Sequence, residues 1–318
     1  MIYQIHGFNI LCDQYIEQLN DYIFDEYNKD FPVISTKITS ELKVNIQDGL
    51  EIFNELGRFV HSKYKNYYEF NDGTSILFSP KEIIFCGEKF DTNRLLEEIS
   101  RPNIVILSRF HKRAVLHGSA FLYKGKAYLL CAYPGAGKST LSSAITKYQS
   151  DVRFLTDDII CVKKDGASIY NGIPHVSLNK DSFQYLFNKP DHELSPPLCN
   201  SNKNSKTTCD LTTVTKAKNV QNIIEIGGVF FLDTPLEDEL IKITKLNKYE
   251  FFCESIKNIK SRKSLISEFL VQEMQILNNM VNNKIFGVKL CIKHDYSKLE
   301  EITRRVLDFI DSQLQNEP

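Results

Sequence analysis

Residues 132–139 read AYPGAGKS, a pattern suited to gripping a phosphate group. It matches the motif G-x-x-x-x-G-K-[ST], except that Ala132 stands where the first glycine belongs. The backbone N–H groups of such a loop form a concave anion site, and the following helix adds its positive end. Lys138 would reach the β- and γ-phosphates of a nucleotide, and the hydroxyl of Ser139 would bind Mg²⁺. The expected nucleotide-binding residues are Pro134, Gly135, Ala136, Gly137, Lys138, Ser139 and Thr140.

Two adjacent aspartates, Asp157 and Asp158, interrupt an apolar run one helix and one strand after the loop. Burying adjacent carboxylates is costly unless a cation or hydrogen bonds compensate. We therefore expect one carboxylate to touch Mg²⁺ or its waters. The other would accept the proton of an attacking hydroxyl group, with a pKa that its neighbour influences. The alternative interpretation is a turn that faces solvent.

Four further residues are weaker candidates, and one of them is His175, which follows Gly172-Ile173-Pro174. His117 lies in an HGS triplet on the strand expected to pair with the loop strand, which brings it near the base of the loop. The alternative is a histidine that is satisfied in the core. Lys203 and Lys206 lie in a polar segment, where they are either solvated charges or a cation that a closing loop brings to the phosphates.

The elements that must position these residues are two hairpins. Apolar runs at 113–123 and 127–132 are separated by a three-residue stretch centred on Gly125, which predicts antiparallel neighbours. A helix over Lys138–Lys147 follows the loop, and runs at 153–164 and 167–173 flank a second turn signal. Phosphate loops usually lie in chains of parallel strands, whereas here hairpins flank the loop. The sequence therefore predicts an α/β (α+β) protein with a mixed, largely antiparallel sheet around the loop.

The remaining segments frame this core. We expect a β-rich N-terminal lobe at 1–105 and a nucleotide-binding domain with C-terminal helices at 106–318. The predicted strands outside the hairpins are 1–12 with a bend at Gly7, a three-strand meander within 66–87, 223–233 and 286–292. The predicted helices are 92–99, 103–112, 251–260, 264–283 and 297–314. A long loop or lid is expected at 191–215, where the sequence becomes polar.

Bulk composition indicates a soluble cytoplasmic protein. The formal net charge of −1 gives no global field that would favour nucleic acid or an anionic membrane. The eight cysteines are scattered without a C-x-x-C pair, which favours reduced thiols over a disulfide framework or zinc site. No apolar stretch is long enough to span a membrane or to serve as a signal peptide.

Taken together, the segments LHGSAFLY, GAGKST and FLTDDIICV resemble the bacterial HPr kinase/phosphorylase family and its related serine kinases. That group shares its nucleotide core with the ATP-dependent phosphoenolpyruvate carboxykinases. At lower specificity, YQIHGFNI, GIPHVSLN and IGGVFFLD are similar to other segments of the related kinases, so the resemblance spans nearly the whole chain. Only residues 113–162 carry specific motifs.

The resemblance implies an ATP- and Mg²⁺-dependent kinase that phosphorylates a serine hydroxyl. Lys138 would bind phosphates, Ser139 would bind Mg²⁺, and His117 would lie close to the metal and γ-phosphate. Asp158 would be the metal ligand and Asp157 the base, although the sequence does not separate the two roles. Lys206 would match a basic position of the family.

The class of phosphate acceptor is inferred from where the chain departs from the family as well as from where it matches the family. The glycine-rich E-x-R-G signature of true HPr kinase/phosphorylases has no counterpart here. In length and N-terminal style the chain is closer to kinases that modify the C-terminal serine of ribosomally made peptides, such as those of lasso-peptide clusters. A kinase of free serine or another small hydroxyl compound, and a nucleotide-binding regulatory module without catalysis, stay open as alternatives. Members of the family often form oligomers, which leaves a homo-oligomer open too.

Overall fold

The computed structural model describes residues 1–12, 23–24, 28–39, 42, 50–54, 57–62, 64–87, 102–187, 206–210, 222–233, 238–260 and 267–315. Among these, the N-terminal part forms nine strands: β1 Ile2–Ile5, β2 Phe8–Leu11, β3 Ile23–Phe24, β4 Val33–Thr39, β5 Leu50–Asn54, β6 Gly57–His61, β7 Asn66–Phe70, β8 Ser75–Phe78 and β9 Glu82–Cys86. They join in one sheet in the order β3-β1-β2-β4-β9-β8-β7-β6-β5. The predicted meander is confirmed as β7, β8 and β9, each antiparallel to the next.

The first segment is a hairpin and not the single bent strand that the sequence predicted. β1 and β2 pair with Ile5 opposite Phe8, so that His6 and Gly7 form a two-residue turn. Both have positive φ, 49° at His6 and 73° at Gly7, which is the backbone that tight hairpins need. The bend was therefore correctly located, but a full chain reversal occurs there.

The second sheet carries the phosphate loop. Its strands are β10 Ala114–Leu116, β11 Gly118–Tyr123, β12 Lys126–Cys131, β13 Arg153–Thr156, β14 Ile160–Val162, β15 Ser168–Tyr170, β18 Ile223–Leu232, β19 Ile241–Lys245 and β20 Phe286–Ile292. A separate pair consists of β16 His175–Asn179 and β17 Lys206–Asp210. β11–β12 and β14–β15 are the two predicted hairpins, and both are confirmed. Only β12–β18 and β18–β20 are parallel among the described pairs of this sheet, so the mixed, mainly antiparallel α/β fold is confirmed.

Six α-helices are described: α1 Pro102–Phe110, α2 Lys138–Tyr148, α3 Lys180–Phe187, α4 Lys248–Lys257, α5 Ser267–Asn282 and α6 Leu299–Gln315. None of them is long and apolar enough to cross a membrane. α6 is strongly amphipathic and packs Ile302, Val306 and Ile310 into the core beside β20. The helices predicted at 103–112, 264–283 and 297–314 are confirmed within a few residues of their ends.

Other details differ from the sequence prediction. α4 ends at Lys257, and Asn258–Lys260 return to the sheet instead of continuing the predicted helix. Strand β19 was not predicted, although its residues alternate in polarity. Part of the expected lid, 206–210, is strand β17. The predicted helix at 92–99 and the rest of the lid segment lie outside the described residues.

A buried arginine links the N-terminal sheet to the second one. The Arg113 guanidinium donates hydrogen bonds to the backbone carbonyls of His6 (2.6 Å) and Gly7 (2.8 Å). It lies between the rings of Phe8 and Tyr170, 3.9 and 3.8 Å from their centroids. A Cβ at Gly7 would clash with the Tyr170 ring at 2.1 Å, so only glycine fits there. The expected domain division after residue 105 stays a prediction, and helix α1 crosses it.

Candidate active site

The phosphate loop leaves β12 and enters α2 through two glycines. Gly135 and Gly137 have φ of 90° and 88°, and Gly137 immediately precedes the first helical residue. A Cβ at Gly135 would meet nothing within 4 Å, and one at Gly137 would meet only His294, 3.8 Å away. The glycines are therefore required by backbone conformation, and the space above them is open to a ligand.

Ala132, the departure from the motif, is accounted for by its place after strand β12. It is 3% exposed and packs with Leu130 and Leu141 in the core between sheet and helices. It does not adopt a positive φ. A small apolar side chain therefore fits where the motif has its first glycine, and Ala132 does not disturb the loop.

The aspartate pair lies where two neighbouring strands are interrupted together. The first break is at His117, which separates β10 from β11. The second break is at Asp157, Asp158 and Ile159, which separate β13 from β14. The register is the same on both sides of the gap, since Leu116 pairs with Ile160 and Ala120 pairs with Thr156. The two breaks therefore face each other, which brings the HGS triplet beside the aspartates.

Asp157 belongs to the loop side of the site, which we define as Ser139, Asp157 and Ser177. The hydroxyl of Ser139 lies 2.9 and 3.0 Å from the two carboxylate oxygens of Asp157. The backbone N–H of Ser177 on β16 donates to Oδ2 at 3.2 Å. Burial and the charge of Asp158 raise the pKa of Asp157, against the hydrogen bonds and the charge of Lys138. A cation placed here would relieve that cost.

Asp158 belongs to the lysine side, which we define as His117, Asp158 and Lys260. Nε2 of His117 lies 3.2 Å and Nζ of Lys260 lies 2.5 Å from the same oxygen, Oδ1 of Asp158. Burial opposes the charged carboxylate, but the His117 hydrogen bond and the Lys260 charge hold the pKa of Asp158 well below its usual range. The backbone of Asp158 has φ 70°, a conformation that aspartate tolerates better than most residues.

Lys260 is a site residue that sequence reasoning missed. The apolar spacing of 251–260 suggested a helix in which Lys260 would be an ordinary surface charge. In the structure, the Lys260 N–H donates to Val115 O at 2.8 Å and Asn258 O accepts from the His117 N–H at 2.7 Å. This short antiparallel bridge to β10 carries the lysine to the aspartate. Nothing in the local sequence signals the contact.

Lys138 faces both aspartates from the start of α2. Its side chain is buried, and burial lowers its pKa while the charges of Asp157 and Asp158 oppose that change. Lys260 also lowers the pKa of Lys138. Two lysines and two aspartates therefore share one partly buried site, with opposite charges in equal number.

A cleft opens on the other face of the loop. Its cavity volume is about 180 Å³. Its lining includes Gly135 and Gly137 of the phosphate loop, Thr140 of α2, and His294 and Tyr296, which follow β20. Thr140 Oγ1 lies 3.0 Å from Ser182 Oγ, which lies 3.0 Å from the Tyr296 hydroxyl. Asn179 caps α3 by accepting from the Ser182 N–H at 2.7 Å, which fixes Ser182 at the rim.

The weaker sequence candidates fall in different places. Lys206 starts β17 directly opposite Asn179, which lines the cleft. His175 starts β16, two residues before Ser177, and is buried. Lys203 lies outside the described residues. The cleft residues Ser182, His294 and Tyr296 had no sequence signal, because each comes from an element remote from the loop.

The oxygen donors that meet at the loop side suit Mg²⁺. That ion prefers oxygen ligands and usually takes one or two from the protein, with phosphates and water completing its coordination. Ser139 and Asp157 offer a hydroxyl and a carboxylate within one hydrogen bond of each other. In the part of the chain that the structure describes, no three His, Cys, Asp or Glu side chains are arranged to hold a metal alone. The residues therefore fit an ion shared with substrate phosphates.

Comparison with known proteins finds a structural similarity but no match by sequence. No protein-family model matches it, and no curated protein matches it by sequence. Among solved structures it is similar to the Hpr(Ser) kinase/phosphatase from Coxiella burnetii, with a TM-score of 0.31 and 12% identity. That alignment covers 64% of this chain and 99% of the other. The proposals below rest on the contacts of the site.

Proposed function

We propose that this protein is a Mg-ATP-dependent phosphotransferase that transfers the γ-phosphoryl group to a serine hydroxyl of a peptide or small protein. The observation that carries the proposal is the contact between Ser139 and Asp157. It joins the hydroxyl that follows the loop lysine to a carboxylate from a different element. A hydroxyl and a carboxylate together are the protein ligands that hold Mg²⁺ on nucleotide phosphates.

The two aspartates have different contacts, which support a division of roles. Asp157 uses both oxygens, with Ser139 and with the Ser177 N–H, as a carboxylate beside a cation would. Asp158 contacts His117 and Lys260 through Oδ1. We therefore assign the cation side to Asp157 and proton acceptance to Oδ2 of Asp158, the reverse of the assignment expected from the sequence.

The cleft supports an orientation for the nucleotide. Ser139 faces Asp157, whereas the next residue, Thr140, faces Ser182 and the cleft. Phosphates at the start of α2 would thus have the aspartates at one end and the cleft at the other. Its volume of about 180 Å³ is below the roughly 300–1,000 Å³ of sites that enclose a whole drug-sized ligand. The cleft suits the nucleoside part of ATP, and the γ-phosphate would then lie at the aspartates.

Transfer would follow from positioning and charge. The acceptor oxygen bonds to the γ-phosphorus, its proton passes to Asp158, and the bond to the β-phosphate oxygen breaks, which releases ADP. Lys138 is placed to offset the negative charge of the transferring group. Bound Mg²⁺ would supply further charge neutralisation at the phosphates.

A direct test uses the purified protein, Mg-ATP and a panel of peptides with internal or C-terminal serines, read by mass spectrometry. The expected result is a gain of one phosphate on a peptide serine, lost with Lys138→Ala and kept with Lys147→Ala in the same helix. Transfer to free serine but not to peptides would favour a small-molecule kinase. Nucleotide binding without any phosphorylated product would favour the regulatory module. A Lys138→Ala variant with undiminished transfer would contradict the mechanism.

A further inference from the structure

The lysine side is built from three separate parts of the chain, and Lys260 is the part that comes from farthest away. Its Nζ lies 2.5 Å from Asp158 Oδ1, across 102 residues of sequence. Both side chains are largely enclosed, with 23% of Lys260 and 33% of Asp158 exposed. A contact at this depth is screened by solvent much less than a surface ion pair.

The backbone that carries Lys260 is fixed from two directions. On one side, Lys260 N–H donates to Val115 O and His117 N–H donates to Asn258 O. On the other side, the Arg109 guanidinium donates a short hydrogen bond to Lys260 O. Arg109 Nε is itself 3.1 Å from Glu273, whose side chain is fully buried under the sheet. Because of these contacts the backbone at Lys260 is held between β10 and Arg109.

The contact also determines which oxygen of Asp158 is left for other partners. His117 and Lys260 both take Oδ1, from two elements that are themselves hydrogen-bonded to each other. The carboxylate is thereby held at one oxygen, and its rotation about the Cβ–Cγ bond is restricted. Supports of this kind commonly set the orientation of a reacting group, and their loss often costs about 10–100-fold in activity.

We propose that Lys260 is a positioning residue for phosphotransfer, which acts through Asp158 by fixing Oδ1 and presenting Oδ2 to the acceptor hydroxyl. This inference rests on the proposed function. It predicts that Lys260→Met lowers kcat about 10–100-fold and leaves the KM for ATP nearly unchanged. Lys260→Arg, which keeps a cation able to reach the carboxylate, should recover part of the lost rate.

Lys257→Met is the matched control. Lys257 is the last residue of α4, is 46% exposed, and pairs with Glu254 instead of an aspartate of the site. The same loss of charge three residues away should leave kcat unchanged. Thermal midpoints and ATP affinity of each variant show whether a lost rate reflects an unfolded chain.

The most discriminating test is a double-mutant cycle that combines Lys260→Met with Asp158→Asn. The rate is measured with the peptide that the wild-type chain phosphorylates. If Lys260 acts through Asp158, adding Lys260→Met to Asp158→Asn should cost no further rate. Additive losses, or a Lys260→Met variant as active as Lys257→Met, would overturn the role of Lys260. A wild-type chain that transfers no phosphate would instead overturn the proposed function, so the two failures are distinct.

Discussion

The two sides of the site hold adjacent aspartates in contrasting ways. On the loop side, Asp157 meets Ser139, which is 18 residues away and follows the same glycine loop. On the lysine side, Asp158 meets Lys260, which is 102 residues away and arrives on a bridge to strand β10. The loop side has neutral hydroxyl and backbone donors, whereas the lysine side has a cation and a histidine.

Two consecutive residues of the backbone thus carry the two roles that we propose, cation binding at Asp157 and proton acceptance at Asp158. Asp158 has a positive φ within the break between β13 and β14, and its carboxylate meets other partners than that of Asp157. The pKa of Asp157 is raised mainly by burial, while charged neighbours lower that of Asp158 despite burial. The low pKa of Asp158 keeps its carboxylate ionised, and the proposed division of roles rests on the contacts of the two carboxylates.

The largest expected effect comes from Asp158→Asn, which removes the proposed proton acceptor while keeping its shape. We expect kcat to fall about 10²–10⁴-fold, the usual contribution of a general base. ATP binding, measured by calorimetry, should persist, because Ser139 and the glycines do not contact Asp158. A variant that keeps its rate would remove the proposed distinction between the two sides, since Asp158 would then have no chemical role.

The support beneath the lysine side predicts a pH dependence of stability. Burial raises the pKa of Glu273 from 4.5 to about 7, although Arg109 opposes the change. Between those values Glu273 holds a proton in the folded chain that it has released in the unfolded chain, so its contribution to the free energy of unfolding falls as the pH rises. At about 1.4 kcal/mol for each unit of pKa, the loss is about 3 kcal/mol across the window.

Glu273→Gln should remove this contribution, so that the stability difference between variant and wild type changes by about 3 kcal/mol in favour of the variant from pH 5 to pH 7, as measured by urea unfolding at pH 5, 6 and 7. Glu268→Gln, an exposed substitution on the same helix, should retain it. An equal slope in wild type and Glu273→Gln would show that the support does not titrate. In that case the buried pair of Arg109 and Glu273 would not account for the position of Lys260.

Gly118 lies where the two sides meet, between His117 and Ser119. A Cβ there would lie 2.6 Å from the carbonyl oxygen of Leu130 and 2.7 Å from Ile160 Cδ1. Gly118→Ala should therefore lower the free energy of unfolding by about 1–3 kcal/mol, the usual cost of overpacking. Unchanged urea unfolding would mean that β11 and β12 separate without cost. The glycine of the HGS triplet would then need a different explanation.

The smallest expected effect is at the cleft. Ser182→Ala removes a hydroxyl that lies between Thr140 and Tyr296. Loss of one hydrogen bond from Ser182 to the bound nucleoside would cost about 0.5–1.5 kcal/mol, so the KM for ATP should rise by a factor of about 2–12 with kcat unchanged. Ser312→Ala on α6 serves as the control. A change in kcat instead of KM would argue against placing the nucleoside in the cleft.

How far the sequence predicted the site depends on how local each contact is. The loop, its helix and both hairpins follow from short-range turn signals and apolar runs, and they are confirmed. The sequence predicted that Ser139 and one of the two aspartates would bind Mg²⁺, but it did not decide between Asp157 and Asp158. That choice depends on the φ of one residue, which sequence patterns do not specify.

Elsewhere, tertiary context overrode local pattern. Asn258–Lys260 have helical spacing, yet their backbone bonds to β10 and to Arg109. The N-terminal strand was read as bent because its alternation continues through the turn at Gly7. In both places a long-range partner decided the backbone, and such partners leave no local signal.

The sequence by itself determined a glycine loop that suits phosphate, a carboxylate pair after it, and a mixed sheet around both, because these follow from backbone freedom, turn chemistry and apolar periodicity. Only the tertiary structure decided which carboxylate faces Ser139, that Lys260 reaches the other, and that a cleft adjoins Thr140. The physical reason is that charge pairing and cavity shape depend on contacts between different elements, as between Asp158 and Lys260, which are 102 positions apart.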